Sequence, residues 1–74
     1  MSRLIRMDGS GHTTLAEWTA EDAASVEAAV AAFRDELERG SIAMVARGPG
    51  RAEHVRELPL DEPLVIMRRP IAGG

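Results

Sequence analysis

The sequence predicts an α+β fold, in the order β-β-α-β-β-β, with one long helix across a mixed sheet of four or five strands. Short apolar runs of strand length, separated by turn residues, occur at both ends of the chain. Only residues 20–39 have the three-and-four spacing of an amphipathic helix. The first and last runs are both apolar, so we expect them to be neighbours in the middle of the sheet.

The first two strands are predicted to form a hairpin. RLIRM, residues 3–7, reads as the first strand, and HTTLAEW, residues 12–18, is rich in β-branched threonine and reads as the second. DGSG lies between them. Gly9 after Asp8 is a strong hairpin signal, because glycine adopts a positive φ without a steric penalty.

The helix is predicted from about residue 20 to about residue 39. Thr19 is a suitable N-cap, and Glu21 and Asp22 would then lie in the first turn, where the helix dipole favours acids. Gly40 is the expected C-terminal stop.

One apolar stripe follows the predicted helix, and we interpret its members as core residues and not as a partner groove. They are Ala23, Val26, Val30, Phe33 and Leu37. Asp35 and Arg39 are predicted to form an i,i+4 ion pair on the outer face.

The second half of the chain predicts three more strands. SIAMVAR, residues 41–47, is a short apolar strand that GPGR ends. AEHVREL, residues 52–58, is more polar and is expected near a sheet edge. PLDEP, residues 59–63, is a loop, and LVIMR, residues 64–68, is the most apolar run and reads as a central strand.

Residues 1–68 are therefore expected to form a single domain, followed by a flexible tail at residues 69–74. Pro70 removes a backbone donor, and Gly73 and Gly74 have no side chains that could anchor them.

Composition limits the function classes. The net charge is −3, with acids and arginines interspersed, which argues against a nucleic-acid partner. The chain has no cysteine and therefore no disulfide or thiolate metal site. It has no long apolar run and no secretory pattern, so we expect a cytoplasmic protein that does not enter membranes. We also expect a monomer.

Polar side chains offer few candidates for catalysis. His12 and His54 lack partners at metal-ligand spacing and are interpreted as solvated strand residues. Asp61 and Glu62 lie between prolines and are interpreted as a solvated turn. Trp18 can either pack at the strand-to-helix corner or anchor a partner, and we favour packing.

All nine basic residues are arginine. A GC-rich genome explains the absence of lysine through codon usage. Alternatively, the protein works beside enzymes that acylate lysine ε-amines, and a lysine-free chain offers them only its N-terminal amine.

The end of the chain, PLDEPLVIMRRPIAGG, resembles that of small prokaryotic sulfur carriers of the thiamine and molybdopterin pathways. Those end in an apolar strand, a proline, a small apolar residue and Gly-Gly. With the order of elements, this resembles the ubiquitin-like β-grasp family, whose fold is a β-grasp roll. The close resemblance covers residues 59–74, and residues 1–58 share the element order.

The resemblance implies that an activating enzyme uses ATP to adenylate the carboxylate of Gly74. A modifier then reaches target lysines, with a conjugating enzyme and an isopeptidase as further partners, whereas a sulfur carrier receives a C-terminal thiocarboxylate. The chain itself would be no enzyme and would bind no cofactor. Six residues would be recognised by the activating enzyme: Arg68, Arg69, Pro70, Ile71, Ala72 and Gly73.

Three functions stay open at this point. The arginine pair and the missing lysines favour a protein modifier, to which we lean, and PIAGG favours a sulfur carrier. In the third, the chain is a non-covalent interaction module or small assembly subunit in which Gly-Gly is incidental. Arg68 and Arg69 are then simply solvated charges, and not a contact to an acidic enzyme.

Overall fold

The computed structural model of the protein describes residues 1–69. The elements are β1 (Ser2–Asp8), β2 (Gly11–Trp18), α1 (Ala23–Glu38), β3 (Ile42–Ala46), β4 (Ala52–Val55) and β5 (Leu64–Arg68). The predicted α+β order is confirmed, with one helix over a five-stranded sheet. Within this part of the chain, no helix is both long and apolar enough to cross a membrane.

The strands lie in the order β2-β1-β5-β3-β4. β1 and β5 pair in parallel at the centre of the sheet, and all other neighbours are antiparallel. The expectation that the first and last strands are central neighbours is confirmed. This mixed sheet with a single helix on one face is the β-grasp topology.

The hairpin between β1 and β2 is confirmed, but its special glycine is not the predicted one. Asp8 pairs with Gly11, so Gly9 and Ser10 form a two-residue loop. Gly11 has a φ of 126°, and Gly9 is not among the glycines with positive φ. The sequence indicates the turn correctly, but the pairing register decides which glycine takes the unusual conformation.

The helix begins three residues later than predicted. Its N-cap is Asp22, in an extended conformation, and the Asp22 side chain accepts a hydrogen bond from the Ser25 N–H at 3.2 Å. The prediction of Thr19 as N-cap, with Glu21 and Asp22 in the first turn, is therefore wrong. The Thr19 carbonyl instead accepts the Asp22 N–H at 3.0 Å, so this segment is a turn that leads into the cap.

The helix ends where Gly40 predicts. Gly40 has a φ of 93° and donates its N–H to the Leu37 carbonyl, and the Ser41 N–H reaches the Glu36 carbonyl, each at 3.0 Å. These two bonds form a Schellman motif, in which a left-handed glycine satisfies the last carbonyls.

The predicted ion pair between Asp35 and Arg39 is confirmed, with a distance of 3.1 Å between Arg39 Nε and Asp35 Oδ2. Both side chains are more than half exposed, so the pair contributes little to stability.

The core lies between the helix and one face of the sheet, and its buried members are Leu4, Trp18, Ala29, Phe33, Ala43, Val45, Val65 and Met67. The predicted stripe is confirmed at Phe33, and Val26 and Leu37 pack half-buried against the core. It is wrong at Ala23, which is exposed, and it omits the buried Ala29. The later start of the helix leaves Ala23 at its first turn, away from the packed layer.

The edge position of β4 is confirmed, but the strand is shorter than predicted and ends at Val55. Leu58, which was expected within the strand, instead packs from the following loop against the core. β3 and β4 are joined by a tight turn in which the Arg51 N–H donates to the Gly48 carbonyl at 3.0 Å.

Glu36 is a buried acid on the core side of the helix, with only 4% of its surface exposed. Arg6 Nη1 lies 3.2 Å from Glu36 Oε2, and the Ser41 hydroxyl donates to Glu36 Oε1 at 3.1 Å. Both carboxylate oxygens therefore have partners, and the cluster links the end of the helix to β1 and to the start of β3.

Replacing Glu36 with alanine is expected to lower the free energy of unfolding by about 2–3 kcal/mol, because the buried Ser41 hydroxyl loses its acceptor and Arg6 its partner. Glu36→Gln keeps an acceptor and should cost about half as much. Urea unfolding measures both. Glu38→Gln, at an exposed acid on the same helix, is the matched control, and an equal loss there would contradict the role assigned to the cluster.

Candidate functional site

The last strand ends in the middle of the sheet. Arg68 is the final residue of β5 and is paired with Met7 of β1 on one side and with Ile42 of β3 on the other. Arg69 follows, and both arginines are exposed. The predicted site residues Pro70, Ile71, Ala72, Gly73 and Gly74 lie outside the residues that the structure describes. We call Arg68, Arg69 and the adjacent residues 7–10, at the end of β1 and in the β1–β2 turn, the tail root.

Two neighbouring depressions flank the tail root. Arg6, Met7, Asp8, Gly9 and Arg69 line the first, and the second shares most of these residues and adds Arg68. Met7 is 44% exposed, although it is a large apolar side chain. The tail root therefore combines an accessible apolar group with guanidinium groups, in a protein whose net charge is −3.

Asp8 is the acid of the tail root. The Ser10 hydroxyl donates to Asp8 Oδ1 at 2.7 Å, and the Ser10 N–H donates to the same oxygen at 2.9 Å. These bonds, with a smaller contribution from the charge of Arg6, hold the pKa of Asp8 below its ordinary value. The stabilisation is present above the unfolded-state pKa and is lost as the pH falls through the lower folded-state pKa. At neutral pH Asp8 is ionised and the turn is fixed.

The sheet face opposite the helix carries an apolar surface that no other element of residues 1–69 covers. Strand register places Ile5 beside Ile66, and Ile66 beside Met44, in one row across β1, β5 and β3. Met7 and Leu64 extend the surface above and below this row, and Leu64 is 39% exposed. We call Ile5, Met7, Met44, Leu64 and Ile66 the open-face patch. Of these five, Met7 and Leu64 are exposed, Met44 and Ile66 are half-buried, and Ile5 is buried. An apolar sheet face that no helix covers is a feature of interaction sites.

The predicted site residues Arg68 and Arg69 lie beside Met7 and Asp8. The sequence analysis did not identify Met7 or Asp8 as their neighbours. The prediction that β1 and β5 are adjacent strands placed the two arginines near β1. That prediction did not include the parallel register, which sets Met7 opposite Arg68.

The other interpretations of single residues are mostly confirmed. His12 and His54 are exposed on strands β2 and β4, as expected of solvated residues. Trp18 packs in the core, with 1% of its surface exposed, and is no accessible partner anchor. Glu62 differs from the expected solvated turn, because it is only partly exposed and forms an ion pair with Arg47.

Between Met1 and Arg69, no group of three or more histidine, aspartate or glutamate side chains is arranged to hold a metal ion. What the site offers chemically is a basic and partly apolar surface at the end of the central strand β5. No protein-family model matches the chain, and no curated protein or solved structure matches it either.

Proposed function

We propose that the protein is a ubiquitin-like modifier that is adenylated on the carboxylate of Gly74 by an ATP-dependent activating enzyme and is then conjugated to target lysines. The observation that supports this most directly is the position of β5. This central strand of a β-grasp sheet ends at the exposed Arg68, which is the first residue of RRPIAGG.

The pairing of β5 within the sheet suits a C-terminus that must be presented to an enzyme. β5 is paired with β1 along its whole length and with β3 from Ile66 to Arg68, so the position of Arg68 relative to the sheet is fixed. Beyond it, Pro70 disfavours a helical conformation at Arg69. Gly73 and Gly74 have no Cβ atoms that would collide with a narrow channel. A partner that binds the sheet would therefore find the reactive carboxylate at a limited distance from a fixed point.

The open-face patch and the tail root provide a docking surface for that partner. Apolar contact with Met7 and Leu64 would supply area, and the guanidinium groups of Arg68 and Arg69 would favour acidic residues on the activating enzyme. The reactive group is a main-chain carboxylate, so the chain needs no catalytic side chain of its own, and ATP is used by the enzyme. In this proposal the reaction takes place in the cytoplasm.

Two other functions each have an observation in their favour. PIAGG after an apolar strand favours a sulfur carrier with a thiocarboxylate on Gly74. The open-face patch by itself favours a non-covalent module, because such a surface binds a partner without any chemistry at the C-terminus.

The deciding experiment measures the mass of the C-terminal peptide of N-terminally tagged protein purified from its native host. A protease that cuts before Asp61 is suitable, since proline follows both Glu62 and Arg69 and hinders cleavage after either residue. We expect a fraction of this peptide to be joined through Gly74 to a lysine of another protein. A peptide in which sulfur replaces one carboxylate oxygen would show a carrier instead. A free carboxylate in every copy, under stress as well as in normal growth, would contradict both.

A further inference from the structure

A shallow apolar groove runs beside the helix, on the other side of the sheet from the open-face patch. Ala23, Val30, Ala31 and Leu60 are among the residues that line it. Leu60 is 41% exposed, and its carbonyl accepts a hydrogen bond from Trp18 Nε1 at 3.1 Å, which fixes the loop that carries it. The helical stripe is thus not core alone, since the exposed Ala23 and the half-buried Val30 line this groove.

Two charged residues of opposite sign, Glu27 and Arg34, line the same groove. Both are exposed, and neither takes part in any ion pair formed within residues 1–69. They are seven residues apart, so they lie on one side of the helix about 10.5 Å from each other along its axis. The midpoint between them falls between Val30 and Ala31, both of which are apolar.

We propose that this groove binds a second copy of the chain, with the two helices antiparallel about a two-fold axis near Val30 and Ala31. In that arrangement Glu27 of each copy lies level with Arg34 of the other, and two identical ion pairs close the ends of the contact. A parallel arrangement would set like charges side by side. The small side chain of Ala31 allows the helix axes to approach to about 8 Å, the short end of the usual range.

The dimer is weak and depends on concentration. One helix face and the Leu60 side chain bury less area than the roughly 1,200 Å² at which stable interfaces begin. The dilute chain is therefore the expected monomer, and dimers form as concentration rises. The open-face patch lies on the opposite side of the sheet, so this proposal does not depend on the proposed function.

Sedimentation equilibrium over a range of protein concentrations tests the proposal with a set of charge variants. Glu27→Arg and Arg34→Glu each turn both ion pairs into repulsive contacts, and each should weaken dimerisation by at least about tenfold. The double variant restores opposite charges and should dimerise within about threefold of wild type. A mixture of the two single variants should form a heterodimer, since one has only arginines and the other only glutamates at these positions.

Three results would overturn the proposal. If the wild-type chain stays monomeric up to millimolar concentration, the groove does not bind a second copy of the chain. A double variant as weak as the single ones would exclude the antiparallel register. Met7→Glu, in the open-face patch, should leave dimerisation unchanged. If this variant failed to dimerise, the contact would lie on the open face of the sheet and not in the helical groove. Circular dichroism verifies that every variant is folded, which is expected because all three sites are exposed.

Discussion

Trp18→Ala is expected to lower the free energy of unfolding by about 3–5 kcal/mol. Trp18 is 1% exposed and is among the largest fully buried side chains of the core. Its loss leaves a cavity where β2 meets the helix layer, and it removes the hydrogen bond to the Leu60 carbonyl. In a chain of this size a single core rarely supplies more than about 3–5 kcal/mol of stability, so much of the variant population should be unfolded at 37 °C. Urea unfolding followed by circular dichroism measures the change.

Trp18→Phe is the matched control, because it keeps an aromatic ring in the core and removes the indole N–H. We expect it to cost about half as much as the alanine variant. A loss below about 1 kcal/mol for Trp18→Ala would mean that the residue does not fill the core as described, and that Trp18 is free to act as a partner anchor.

Deletion of Gly73 and Gly74 is expected to abolish covalent attachment, the largest functional effect that the proposed function predicts. The adenylated carboxylate would then belong to Ala72, which is two residues short of the position that the activating enzyme acts on and carries a Cβ atom. Immunoblots of tagged full-length and truncated protein from the native host measure the conjugates.

The truncated protein should unfold at the same urea concentration as the full chain, because the deletion lies beyond β5 and outside the described core. This equality separates a defect in chemistry from a defect in folding. Unchanged conjugates after the deletion would contradict attachment through Gly74. An absence of conjugates from the full-length protein, with an unchanged cellular phenotype after the deletion, would favour the non-covalent module. The dimer proposed for the helical groove can be tested whichever outcome is found.

The sequence by itself determined the element order, the central position of the first and last strands, the hairpin, and the end of the helix at Gly40. Each of these depends on local information: a period of two or of 3.6 residues, a turn dipeptide, or a glycine that adopts a left-handed conformation. The choice of Thr19 as N-cap was wrong, although Thr19 and Asp22 are both suitable caps. The local preference ranks aspartate above threonine and so favours the observed Asp22.

Only the tertiary structure decided the composition of the candidate site. The parallel register that sets Met7 opposite Arg68 joins residues 61 positions apart, and no local pattern contains it. The burial of Glu36 likewise required Arg6 and Ser41, which reach it from a distant strand and from beyond the helix end. A hydrophobic pattern assigns an acid to the surface. Partners that the fold supplies make its burial favourable, because they satisfy both carboxylate oxygens away from water.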